Sequence, residues 1–240
     1  MNRIEILGVG FDNVSMDEAI ARASDRIEQR RGGFVVTPNP EIVMFALENE
    51  KLRDTIEKAE LVLPDGIGVI YGAKILGTPL KERVPGIDFA SGLMEKLAAH
   101  HGSVYLLGAK PGVAEQAGRN LRERFPGLVV AGWHDGYFTD DSEIIREINV
   151  LKPDLLLVCL GFPKQEFWMR ERGPMLDVGL MAGLGGSLDV FAGVVQRAPA
   201  LWQKLGLEWL YRLLKEPTRL GRMMKLPQFL LCVIKERVKK

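Results

Sequence analysis

Short apolar runs alternate along the chain with longer stretches of helical spacing. The runs at 4–9, 34–37, 61–63, 104–108, 128–131, 154–160 and 178–182 read as strands. Between them, 17–27, 41–47, 51–59, 66–76, 87–100, a segment from Gly112 through Phe125, and 142–151 carry apolar residues at helical spacing. Ser15 with Glu18 three residues later forms a capping-box pattern ahead of the first helix. The run at 154–160 is apolar throughout after its first residue, as a strand buried on both faces requires. Strands alternating with helices predict an α/β body: a mostly parallel sheet covered by helices on both sides. No internal repeat or low-complexity segment interrupts it.

The pattern changes near residue 196. Beyond it, Trp202, Leu205, Trp209, Leu210, Leu213, Leu214, Phe229 and Leu230 are mixed with bases. From Gln196 to Lys240 there are eleven Lys or Arg and three Asp or Glu, a net +8, while the remainder of the chain carries −7. Two segments are therefore expected: an α/β body over 1–195 and a basic helical appendage over 196–240. Trp and Leu among Lys and Arg, too polar to span, suit the surface of an anionic bilayer. Packing on the chain's own body or on a second copy is the competing reading, so a homo-oligomer stays open. No run of about 18 apolar residues and no signal-peptide pattern is visible. The expectation is a cytoplasmic protein peripheral on the inner membrane face.

In open α/β sheets ligands bind at the carboxyl ends of the strands. Two of those ends, and one loop downstream, carry polar, turn-forming sequence. The strand at 34–37 runs into Thr37-Pro38-Asn39-Pro40; that at 61–63 runs into Pro64-Asp65-Gly66; Arg83 follows in a loop-like stretch ending Val84-Pro85-Gly86. An acid, an amide, a hydroxyl and a guanidinium can converge there. The plainer alternative makes Asn39 a helix cap and Asp65-Gly66 a turn.

Glycines follow other strands: Gly8 and Gly10, Gly108 and Gly112, and Gly183, Gly185 and Gly186. Glycine lets backbone amides approach a phosphate, or simply supplies a turn. Asn13 stands where a dinucleotide fingerprint needs its third glycine, and there is no Walker A sequence. Lys164 and Gln165 are expected in the first turn of a helix over the same edge, with Glu166 as a solvated acid. Tyr137 is a candidate to stack on a base. Cys159 and Cys232 lie in apolar runs and read as buried thiols. No Asp-x-Asp pair, no Ser-His-Asp or Cys-His arrangement and no metal-ligand spacing occurs. A diphosphate would have to be neutralised by arginines or backbone amides. No metal, cofactor or nucleic-acid partner is expected.

Thr37-Pro38-Asn39, Leu63-Pro64-Asp65-Gly66, Arg83-Val84-Pro85-Gly86, the turn at Gly108, Gly161-Phe162-Pro163-Lys164-Gln165-Glu166 and the basic tail together resemble the WecG/TagA/CpsF glycosyltransferases, over essentially the whole chain. The resemblance implies a Rossmann-like body with a membrane-docking C-terminal appendage. Nearest is the branch that moves N-acetylmannosamine from UDP to the 4-hydroxyl of N-acetylglucosamine on undecaprenyl diphosphate, in wall teichoic acid synthesis. Inversion and independence of metals are implied with it. Asp65 then matches the general base; Thr37, Asn39, Arg83 and Gln165 match pocket positions; Arg212, Arg219 and Arg222 match arginines that close over the diphosphate. Gly108, Tyr137, Gly185 and Gly186 are further candidates for donor contact. Two other donors, UDP-N-acetylmannosaminuronate and UDP-glucose, occur among relatives. A nicotinamide-dependent oxidoreductase and a non-catalytic membrane scaffold are readings of other classes, the first weakened by the broken fingerprint.

Overall fold

A computed structural model describes residues 3–215 and 220–239, apart from the side chains of Lys204, Arg212 and Arg222. The expected first strand is a hairpin instead. Strand β1 (Arg3–Ile6) pairs antiparallel with β2 (Val9–Asp12). Leu7 and Gly8 turn the corner with φ of 51° and 77°, the positive values a two-residue hairpin loop needs. Asp12 is fully buried, accepts a hydrogen bond from the Val62 amide at 2.8 Å and pairs with Arg3 at 3.3 Å. Those contacts hold the hairpin beside an edge strand of the main sheet.

Helix α1 (Met16–Glu28) begins at the expected Ser15–Glu18 capping box. Then follow β3 (Phe34–Val36), α2 (Pro40–Glu48), α3 (Glu50–Glu57), β4 (Leu61–Val62), α4 (Ile67–Leu76) and α5 (Gly86–Ala98). Next come β5 (Ser103–Gly108), α6 (Val113–Arg124), β6 (Val129–His134), α7 (Ser142–Leu151), β7 (Leu155–Cys159), α8 (Lys164–Arg172), β8 (Leu180–Gly183) and α9 (Ser187–Phe191). Six strands form one sheet in the order β4-β3-β8-β7-β5-β6, every neighbouring pair parallel. A parallel sheet must be covered on both faces, and alternate residues of its strands enter two separate cores. Leu155, Leu157, Leu180 and Ala182 face one core, closed by α1, α5, α6 and α9. Leu156, Val158 and Met181 face the other, shared with the hairpin, α2, α3, α4, α7 and α8. Cys159 is a buried thiol as expected, and that burial pushes its pKa up to about 12. The other thiol, Cys232, is only half-buried.

The tail continues as α10 (Ala200–Lys204), α11 (Glu208–Lys215), α12 (Leu220–Met223) and α13 (Lys225–Lys239). Pro227 sits in the first turn of α13, where a missing amide hydrogen costs no helical bond. Among the described residues, no helix is long and apolar enough to cross a membrane. Helix α13 packs on α2 and α4. Phe229 and Val233 are fully buried in the second core, beside Ile6 and Ala73. Gly68 and Gly72, one helical turn apart on α4, make room for it. A Cβ on Gly72 would lie 2.9 Å from the Phe229 ring, and one on Gly68 would collide with Leu226.

This packing makes the tail helix part of the body's stability. Phe229→Ala is expected to cost about 3–5 kcal/mol and to open α13 to limited proteolysis ahead of the sheet. Digestion of the tail no faster than in wild type would show that Phe229 does not dock it.

Candidate active site

A cleft of about 340 Å³ opens at the carboxyl ends of four adjacent strands, β4, β3, β8 and β7. That size lies at the lower end of small-molecule sites, about 300–1,000 Å³. Strand β3 delivers Thr37 and Asn39, β4 delivers Asp65, the loop before α5 delivers Arg83, β8 delivers Gly185 and Gly186, and α8 delivers Gln165. The structure thus brings seven sequence-selected residues into one cleft. Gly108 and Tyr137 are not among its lining residues. Gly108 has φ of 131°, and a Cβ there would collide with the Cys159 backbone, so glycine serves the close approach of β5 to β7. Tyr137 is 71% exposed in a turn whose amide donates to the Asp135 carboxylate.

Several lining groups already have structural duties. The Asn39 side chain caps α2, its carbonyl oxygen accepting from the Ile42 amide at 3.1 Å. Its NH2 is what it can offer a ligand. The Thr37 hydroxyl donates to the Gly183 carbonyl at 3.2 Å, leaving its lone pairs as acceptors. The Gly185 amide donates to Gln165 Oε1 at 2.9 Å, so this N–H is committed to a side chain and not held open for a phosphate. Lys164 turns away, donating to the Gly136 carbonyl at 3.0 Å.

The charged part of the cleft is an alternating chain. Arg83 is only 19% exposed and lies 3.9 Å from Asp65 and 3.0 Å from Glu208, the first residue of α11. Arg197 lies 3.9 Å from the same Glu208 and grips Asp88, in the first turn of α5, with two bonds of 2.5 and 2.6 Å. The tail therefore supplies a carboxylate to the cleft, together with Trp209, Met223 and Leu226 as apolar wall. Arg219 lies outside the described residues, as do the side chains of Arg212 and Arg222, the other two tail candidates. Sequence reading missed Glu208, Arg197 and Asp88. The available signal was Glu208 itself, the sole acid between Gln196 and Lys215.

Glu166 is not the solvated acid expected from its place on a short polar helix. It is 1% exposed and accepts from Gln165 Nε2 at 2.9 Å, and its second oxygen has no hydrogen-bond partner among the described residues. Burial pushes its pKa up to about 7, against a weaker downward pull from Gln165.

With this site in view, comparison with known proteins gives the class. The model of the Glycosyl transferase WecG/TagA/CpsF family matches residues 4–240, and the chain belongs to that family. Among its relatives is a Bacillus spizizenii protein named N-acetylglucosaminyldiphosphoundecaprenol N-acetyl-beta-D-mannosaminyltransferase. The two are 38% identical over 209 residues, covering 87% of this chain and 81% of the relative. A Staphylococcus aureus protein of the same name is 35% identical over 239 residues, covering 99% of this chain and 94% of its own length.

The raised Glu166 pKa sets a sign. Between the ordinary value of 4.5 and about 7 the folded protein holds this proton more tightly than the unfolded chain, so stability falls as pH rises through that window. The thermal midpoint of wild type should therefore drop relative to Glu166→Gln from pH 5 to pH 8. A difference independent of pH would contradict the assignment.

Proposed function

We propose that this chain transfers N-acetylmannosamine from UDP to the N-acetylglucosamine of a membrane-anchored diphospholipid, with inversion at the anomeric carbon. The observation that carries this reading is the pairing of Asp65 with Arg83 at the floor of the cleft, at 3.9 Å. Family membership supplies the reaction class, and the activity in the relatives' names supports this donor sugar and acceptor.

A single displacement needs three things from the protein. A base must take the proton of the attacking acceptor hydroxyl as its oxygen bonds to the anomeric carbon. Asp65, at the carboxyl end of β4 and facing the cleft, fills that role. The bond from the anomeric carbon to the UDP oxygen breaks at the same time, and the electron pair leaves with UDP. Positive charge must meet the diphosphate as it departs, which Arg83 supplies from a poorly hydrated position. Finally, the reactants must be held in line. Thr37, Asn39 and the wall formed by Trp209 and Leu226 border the space where they would lie. The reading assigns charge neutralisation to guanidinium groups, with Arg212, Arg219 and Arg222 as further contributors, and requires no divalent cation.

A lipid acceptor presents its sugar at a bilayer surface. The tail offers exposed Leu201, Leu205, Leu214, Leu220, Leu231 and Ile234 within its net positive charge, which supports peripheral attachment there.

The test is transfer to a lipid-diphosphate N-acetylglucosamine analogue from a panel of UDP-sugars, with EDTA present. Transfer is expected from UDP-N-acetylmannosamine, and Asp65→Asn should lower kcat about 10²–10⁴-fold while UDP affinity stays within about threefold of wild type. Preference for another donor would overturn the donor assignment, loss of transfer in EDTA would overturn the guanidinium route, and near-normal kcat in the variant would remove Asp65 as base.

A further inference from the structure

Glu166 is the most buried acid near the cleft, and the displacement described above does not use it. Its side-chain partner among the described residues is Gln165 Nε2, and Gln165 Oε1 in turn accepts from the Gly185 amide, both at 2.9 Å. The relay joins the first turn of α8 to the loop after β8, where Leu184, Gly185 and Gly186 line the cleft. We propose that Glu166 is a positioning residue for the donor pocket: by accepting from Gln165 Nε2 it fixes the direction of that amide, and so the place of Gly185 and Gly186. This rests on the cleft being the donor site.

An amide side chain has two nearly isosteric ends, one donor and one acceptor. The Gly185 N–H needs the acceptor end. A flipped Gln165 would set NH2 against N–H and push the loop away. An acceptor beside the other end removes that choice, and Glu166 Oε1 is that acceptor. Leu184 is anchored, its amide donating to the Val158 carbonyl at 3.0 Å and its carbonyl accepting from Ser187, so the relay acts on the two glycines beyond it. Gly185 sits at φ of 53°, and a Cβ there would meet nothing within 4 Å. Gln165 is itself 3% exposed, so the relay is shielded from competing water.

The acid is also a poor choice for the fold alone. Burial opposes its charge, and one oxygen lacks a partner among the described residues. A leucine of similar bulk would remove the buried carboxylate but leave the Gln165 NH2 without its acceptor, so the two effects on stability oppose each other. A residue kept only for packing predicts that donor affinity follows bulk; one kept for positioning predicts that it follows the acceptor oxygen. Glu166→Leu should therefore hold donor worse than wild type, and Glu166→Gln should hold it nearly as well.

The experiment measures UDP affinity by calorimetry, donor KM and kcat by transfer, and thermal midpoint. It compares wild type, Glu166→Leu, Glu166→Gln, Gln165→Leu and the double leucine variant. Glu166→Leu is expected to weaken UDP binding and raise donor KM about tenfold, with kcat changed less than about threefold. Glu166→Gln, which keeps an acceptor oxygen, should restore affinity to within about threefold. Because Glu166 acts through Gln165, Glu166→Leu should add nothing in the Gln165→Leu background. Unchanged UDP affinity in Glu166→Leu, or a loss fully additive with Gln165→Leu, would overturn the proposal. Wild-type protein that binds no UDP would instead overturn the reading of the cleft, and this proposal with it.

Discussion

A guanidinium held largely away from water needs counter-charge, and Arg83 takes its own from two distant parts of the chain. Asp65 comes from the sheet edge and Glu208 from the tail, at 3.9 and 3.0 Å. Of the two, the shorter contact is the one to the tail. The same carboxylate lies near Arg197, which grips Asp88, so the tail is tied to the body by charge at the cleft. One turn further along α4 it is tied by packing, where Phe229 sits against Gly72. Basic composition sets the tail apart from the body, but these contacts make it a wall of the site.

The arrangement has a consequence for binding. Arg83 is already shared by two carboxylates, so the proposed diphosphate would displace Glu208 from it or share the guanidinium with it. The sheet makes this compact. Adjacent parallel strands β4, β3, β8 and β7 end at one edge, so residues far apart in sequence reach the cleft without long loops.

Much of this was legible in the sequence because it depends on local pattern. Apolar runs separated by helical stretches gave the parallel sheet, and Pro-Asp-Gly after an apolar run placed Asp65 at a strand end. Asn39 proved to be both cap and lining residue, because a side chain at a helix start over a sheet edge serves both. What was not legible depends on partners distant in sequence. Gly108 looked like a phosphate turn, yet its missing Cβ accommodates the Cys159 backbone. The hairpin turn at Leu7-Gly8 lacks the usual Asn-Gly signature, and the run across it read as one strand. Glu166 lies on a helix, Lys164–Arg172, with no clear apolar face, so sequence gave no sign of which side is buried. Glu208 is not selected by sequence because its partners, Arg83 and Arg197, are assembled only by the fold.

The central claim is that Arg83 holds the diphosphate of a UDP-sugar in this cleft. Calorimetric affinities for UDP and for uridine, in wild type and in Arg83→Gln, test it most directly. If the guanidinium makes charge-assisted bonds to the diphosphate, wild type prefers UDP to uridine by about tenfold or more, and Arg83→Gln loses most of that preference while still binding uridine. A preference that survives intact in Arg83→Gln would place the diphosphate elsewhere and contradict the account.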